Sequence, residues 1–196
     1  MEDRDQFAAI DAQAVERYSF FKRLGFVGVD THSLRGAAEF LRIGSTILSE
    51  PNRVFWLTAQ GRFSDVRQRP LALQSGVGHL AARLNRGIVL PVALEYAFWT
   101  ERTPEALIRI GQPLQINSHV GLSGKEWVDL IEEALTRNLD ALNAGTRTRN
   151  PAKSVDLLTG RAGVGGVYES WQRFKSLLRG ERFISAHESL TRGRLS

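Results

Sequence analysis

The chain has 196 residues, 42% hydrophobic and 24% charged, a composition that suits one globular domain with a real core and excludes a disordered or fibrous protein. It has no cysteine, so disulfides and thiolate metal sites are ruled out, and no run of about 18 or more apolar residues such as a membrane-spanning helix needs. The net charge of +5 is mostly arginine, concentrated after Leu57 and beyond Thr146, and favours anionic partners: phosphate head groups, an acidic membrane surface or nucleic acid.

In chain order, the polar start Met1-Glu2-Asp3-Arg4-Asp5 is no secretory signal. Asp11 reads as a helix N-cap and Gly25 as a C′ residue, with Val15, Tyr18, Phe21 and Leu24 at helical spacing, Phe20 beside them, and Arg17, Lys22 and Arg23 around them. This helix either turns an aromatic face to the core or lies on a lipid surface with its rings at head-group level. Phe26 to Val29 reads as a short strand. Ser33 to Leu48 follows as a helix with Leu34, Ala38, Leu41, Ile43 and Ile47 available for the core, ended by Pro51.

Val54 to Leu57 is an uncharged run of β-formers, as in a strand covered on both faces. It opens into Thr58 to Pro70, a loop with one glycine and three arginines. Gly76 to Leu84 then reads as a helix with Val77, Leu80, Ala81 and Leu84 together, and Ile88 to Leu94 as a second apolar strand. The pattern predicts a βαβ unit in which Gly61 lets backbone N–H groups approach an anion and Arg62 points into a crevice shared with the Pro91 strand. The plainer fate of Arg62 is solvent, or a pair with Asp65. Ala106 to Ile110 alternates like a strand with one wetter face. Ser123 and Glu126 form a capping box that opens a long helix to about Leu142. Beyond Gly145 a linker is expected, then a basic amphipathic helix over Tyr168 to Leu178.

Three of these segments together carry a resemblance. Trp56-Leu57-Thr58-Ala59-Gln60-Gly61-Arg62, Ser75-Gly76-Val77-Gly78-His79-Leu80-Ala81 and the proline-bearing strand Ile88 to Leu94 resemble, in order and spacing, the glycerolipid (lysophospholipid) acyltransferases, whose loop is of the type Phe-Pro-Glu-Gly-Thr-Arg-Ser and whose later strand is of the type Val-Val-Pro-Val-Ala. The likeness covers Ile10 to about Leu114. It implies an α/β fold with a mostly parallel central sheet flanked by helices over residues 1–144, followed by a basic helical tail over 145–196. It implies transfer of a fatty acyl group from acyl-CoA or an acyl carrier protein to the hydroxyl of a lysophospholipid-like acceptor, without a metal or other cofactor. The implied setting is cytoplasmic, peripheral on the inner face of the membrane, without nucleic acid. By the same resemblance, Gln60, Gly61 and Arg62 hold the acceptor's phosphate, and so does Arg35, the nearest arginine to the family's loop position after Asp30, where Thr31 stands here. Arg35 read without the family is a surface residue in the first turn of the next helix.

The sequence departs from the family in three respects. Gln60 stands for the usual Glu, and Arg62 follows Gly61 directly, without the intervening Thr. The family's catalytic His followed five positions later by Asp is missing: that position holds Ala37, Leu84, Gly124 and Arg192 after His32, His79, His119 and His187. The expectation is that such a block lies before Met1. The competing reading is a non-catalytic protein that keeps the fold and binds lipid or another anion. Gly76 to Ala81 also fits Gly-x-Gly-x-x-Ala with Glu95 downstream, but the stretch before it, Arg69 to Ser75, makes a poor strand for a dinucleotide site. Of the histidines, His32 alone stands near an expected strand end, close to Asp30.

Overall fold

The computed structural model describes residues 4–18, 20–31, 33–62, 64–98, 104–149, 154, 155 and 157. In chain order its elements are β1 (Asp5–Asp11), α1 (Ala12–Arg17), α2 (Phe20–Arg23), β2 (Phe26–Val29), α3 (Leu34–Ser49), β3 (Arg53–Trp56), α4 (Ser75–Ala82), β4 (Ile88–Val89), β5 (Val92–Ala97), β6 (Glu105–Ile110), β7 (Leu114–Gln115), a 3-10 turn (Ile116–His119) and α5 (Gly124–Thr148). The chain divides into two compact units, Met1–Ala93 with Ile110–Leu139, and Leu94–Arg109 with Asp140–Ser196.

The first unit is built on an all-parallel sheet of order β2-β1-β3. Its central strand was not expected. Phe7-Ala8-Ala9-Ile10 is too short and too rich in alanine to announce a strand by propensity, yet β1 is hydrogen-bonded on both edges, Ala8 opposite Phe26 on one side and Trp56 on the other. Parallel neighbours need crossover connections, which α1 with α2 and then α3 supply, so this part of the chain is of the α/β class.

Asp11 caps α1 as expected, accepting the Gln13 N–H at 2.7 Å. The expected single helix to Arg23 is instead two pieces, α1 ending at the Tyr18 cap and α2 of four residues with nothing buried. Ser33 caps α3, accepting the Gly36 N–H at 3.0 Å and donating to Asp30 Oδ2 at 2.5 Å. Its buried face is Gly36, Gly44 and Ile47, whereas Leu34, expected in the core, is 92% exposed. Leu34 is the first residue of the helix and overhangs its end.

The expected βαβ pairing of the Val54 and Pro91 strands does not form. β3 pairs with β1, and the Ile88 to Leu94 run breaks at Leu90-Pro91 into β4, antiparallel to β7, and β5, which pairs with β6. Proline has no N–H to give a ladder, so the chain changes partners there. The buried Pro91 carbonyl accepts instead the Gly111 N–H at 2.8 Å and Asn138 Nδ2 at 3.2 Å.

The main core of this unit joins Ala81 of α4, Ile116, and Trp127 and Ile131 of α5. Trp127 is 1% exposed. The capping box forms as expected: Glu126 N–H donates to Ser123 Oγ at 3.3 Å and Ser123 N–H to Glu126 Oε2 at 2.7 Å, and this bond from the Ser123 backbone is the largest cause that holds the exposed Glu126 carboxyl below the usual carboxylate range. A Cβ on Gly78 would stand 2.1 Å from the Gly124 carbonyl oxygen and 2.6 Å from Val128 Cγ2, so α4 and α5 approach as closely as they do only because residue 78 lacks a side chain.

In the second unit β5 and β6 form a two-stranded ribbon, and Thr146 of α5 donates to Glu95 Oε2 at 2.9 Å. The helix runs through Thr148, past the expected domain boundary at 144. Arg109, expected on the wetter face of Ala106 to Ile110, is exposed, and so are Ile108 and Ile110 of the opposite, apolar face. The amphipathic helix expected over Tyr168 to Leu178 lies outside the described residues.

Two glycines give opposite expectations. Gly78→Ala should lower stability by about 1–3 kcal/mol through overpacking. Gly145→Ala, where a Cβ meets nothing within 4 Å inside α5, should raise it by up to roughly 1 kcal/mol. Urea denaturation of both variants checks the pair; equal midpoints would show that residue 78 does not set the helix contact.

Candidate functional site

Parallel strands put their following loops at one edge of the sheet, here the carboxyl ends of β2, β1 and β3. In open α/β sheets ligands bind at that edge. The loop leaving β3 is Leu57 to Gln74, and the one leaving β2 leads through Asp30 to Arg35 on the first turn of α3. Relative to β1, β3 ends opposite Ala8 and β2 opposite Asp11, a step of three residues or roughly 10 Å.

The β3 loop is held by its own bonds. Gly61 N–H donates to the Thr58 carbonyl at 2.9 Å and Gln74 N–H to the Ala59 carbonyl at 2.8 Å. Gln60 is a strut: its Nε2 donates to the Leu71 carbonyl at 3.0 Å, and its own carbonyl accepts Gln74 Nε2 at 3.4 Å. Leu71 is 3% exposed, and the Ala72 N–H donates to Glu132 Oε1 of α5 at 3.1 Å, which fixes the far end of the loop. Gly61 has φ +62°, and a Cβ there would meet Gln74 Cγ at 2.9 Å, so both the turn and its closure call for glycine. The N–H of Gly61, expected to face an anion, is occupied within the turn.

The three arginines of the loop have different fates. Arg67 pairs with Asp65, donating through its N–H at 2.9 Å and Nε at 3.1 Å. These bonds hold the Asp65 carboxyl below the usual carboxylate range, the backbone N–H of Arg67 being the larger cause and its side chain the next. Arg69 Nη1 donates to the carbonyls of Val66 and Gln68 at 2.9 and 2.8 Å. Arg62 is exposed and has no hydrogen bond or ion pair among the described residues; it is not tied to Asp65, which Arg67 has taken. Arg35 is likewise exposed, with no partner among the described residues. The geometry thus sorts the expected site residues into two that build the turn, Gln60 and Gly61, and two cations free to meet an anion.

Neither β3 nor its loop shares a ladder with the Pro91 segment, so the expected crevice between those strands is replaced by the edge over β1 and β3. The Gly-x-Gly pattern is packing: Gly78 abuts α5, and residues 71–74 before α4 form no strand. His119 Nδ1 is bonded to the Gln115 carbonyl at 2.8 Å with its ring beside Trp127, while His79 lies against Gly124; neither meets a carboxylate among the described residues. His32 and His187 lie outside the described residues. No group of three metal-ligating side chains occurs among the described residues. A cavity of about 320 Å³ is lined by Ser45, Leu48, Ser49, Arg83, Leu84, Asn85 and Arg86, and contains no residue of the β3 loop.

No family model, curated protein or solved structure matches the chain. The site therefore rests on its own geometry.

Because Asp65 is depressed in the folded chain, its contribution to loop order should be present above the ordinary carboxylate range and be lost as pH falls through its lowered midpoint. Carbon-detected NMR titration should place that midpoint below that of an unstructured aspartate. Arg67→Ala should raise it only part of the way, since the backbone donor remains; a full return would mean that the side chain alone is responsible.

Proposed function

We propose that the turn at Gly61 and Arg62, with Arg35 as a second cation, holds the phosphate of a lysophospholipid-like acceptor, and that the protein is an acyltransferase that moves a fatty acyl group from a thioester to a hydroxyl of that acceptor. The observation that carries this is the guanidinium of Arg62, exposed and without a partner among the described residues: the other two arginines of its loop are consumed in holding the loop's shape, while Arg62 follows the carboxyl end of β3. A planar guanidinium suits a phosphate through paired N–H donors, and a turn braced by Gln60 and Gln74 keeps it in place without closing over the site. The resemblance of the loop, the α4 segment and the Pro91 segment to that family supplies the chemistry. The acceptor hydroxyl oxygen forms an ester bond to the thioester carbon, the C–S bond breaks, and the hydroxyl proton passes by way of a base to the departing thiolate.

A second reading is favoured by a particular observation. His79 and His119, the described histidines, have no carboxylate partner among the described residues, such as would orient a base on the acceptor hydroxyl. On that reading the chain binds the same phosphate-bearing lipid without transferring an acyl group.

Incubation with a long-chain acyl-CoA and a 1-acyl-glycerol 3-phosphate, alongside calorimetric binding of the acceptor alone, separates the two. Transfer with binding supports the acyltransferase; binding without transfer supports the carrier; absence of binding contradicts both. In either case Arg62→Ala should weaken acceptor binding by about tenfold to a hundredfold, the worth of one charge-assisted contact. Arg137→Ala, which removes a surface pair with Glu133 on α5, should leave it unchanged.

A further inference from the structure

Between the first two strands the chain exposes three large apolar side chains in a stretch of seven residues: Tyr18 is 45% exposed, Phe20 53% and Leu24 61%. They are held rather than loose. Phe21 packs its ring 5.1 Å from that of Phe26 on β2, Phe20 stacks on Phe21 at 4.4 Å, and Tyr18 meets Phe21 edge-on at 5.9 Å. An aromatic stack is thus rooted in the sheet at one end and bare at the other. Arg17, Lys22 and Arg23 surround it, all exposed, without a carboxylate partner among the described residues; the Arg17 guanidinium lies 5.3 Å from the centre of the Tyr18 ring.

The plain account of the cations is that each stands in the last turn of α1 or α2, where positive charge suits the helix dipole. That account leaves the rings unexplained, because α2 buries no residue at all and exposing Phe20 and Leu24 forgoes the gain of covering them. A surface that is apolar at its centre and cationic around it is matched by the boundary of an anionic bilayer, which takes rings at the level of the head groups and cations at the lipid phosphates.

We propose that this surface, Tyr18, Phe20 and Leu24 with Arg17, Lys22 and Arg23, docks the protein on anionic lipid bilayers. The insertion is shallow, so binding is reversible and weakens with salt, since screening acts within about 8 Å at physiological ionic strength. The inference stands apart from the phosphate contact at Arg62 and survives its failure.

The test is sedimentation of the full chain with vesicles of phosphatidylcholine alone and of phosphatidylcholine mixed with phosphatidylserine. The wild type should bind the mixed vesicles and hardly the neutral ones. Lys22→Glu with Arg23→Glu should weaken binding at least about tenfold and flatten its salt dependence. Phe20→Ser with Leu24→Ser should weaken it as well, most visibly at high salt. Thermal melts should remain unchanged for both, because the substituted side chains are exposed. Arg62→Ala should bind vesicles like the wild type. The proposal is overturned if the wild type ignores the mixed vesicles, or if both double variants bind as the wild type does, which would move the attachment to the basic tail.

Discussion

Everything described in the first unit depends on β1 being paired on both edges. Its ladders to β2 and β3 are parallel, so they require the two helical crossovers and send the loops after β2 and β3 to the same edge of the sheet. A strand centred on Phe7-Ala8-Ala9-Ile10 has little side-chain bulk to fix its place, and the flanking strands provide it through Phe26 and Val27 on one side and Phe55 and Trp56 on the other. The Trp56 indole N–H donates back to Gln6 Oε1 at 3.0 Å, adding a side-chain tie across the same pair. The positions of both Arg62 and Arg35 follow from this arrangement.

Two further constraints shape what lies around the loop. Pro91 ends one ladder and starts another, and its freed carbonyl becomes an anchor for Gly111 and Asn138. Gly78 allows α4 to sit against the start of α5, and α5 in turn offers Glu132 to the backbone at Ala72. The β3 loop is therefore braced from within by glutamines and from outside by α5. Its ordering is complete without Arg62, which is why that side chain is left for another use.

Much of this was legible in the chain. Short-range capping chemistry is the surest signal: Asp11 and the Ser123–Glu126 box both stand where the residue types put them, because the capping oxygen and the N–H it accepts are two or three residues apart. Strand identity is readable for β2, β3 and β6, but pairing is not, since it is decided by contacts between distant segments; thus the residues of β1 do not announce a strand and the Pro91 run reads as one strand. The aromatic face of residues 15–24 has helical spacing and still divides between Val15, which is buried, and Tyr18, Phe20 and Leu24, which are not. At the site, Gly61 and Arg62 announced themselves as a glycine followed by a cation after a strand. Gln60 read as a ligand contact because its partner, the Leu71 carbonyl, lies eleven residues away.

The central claim is that the edge over β1 and β3 receives a phosphate. The most direct measurement is a titration of the nitrogen-labelled protein with glycerol 3-phosphate, followed by the shifts of its backbone and guanidinium resonances. The account predicts saturable shifts centred on Gly61, Arg62 and the start of α3 at Arg35. Shifts confined to Arg83 and Arg86 in the cavity beside Ser45, or spread evenly over the surface arginines, would contradict it.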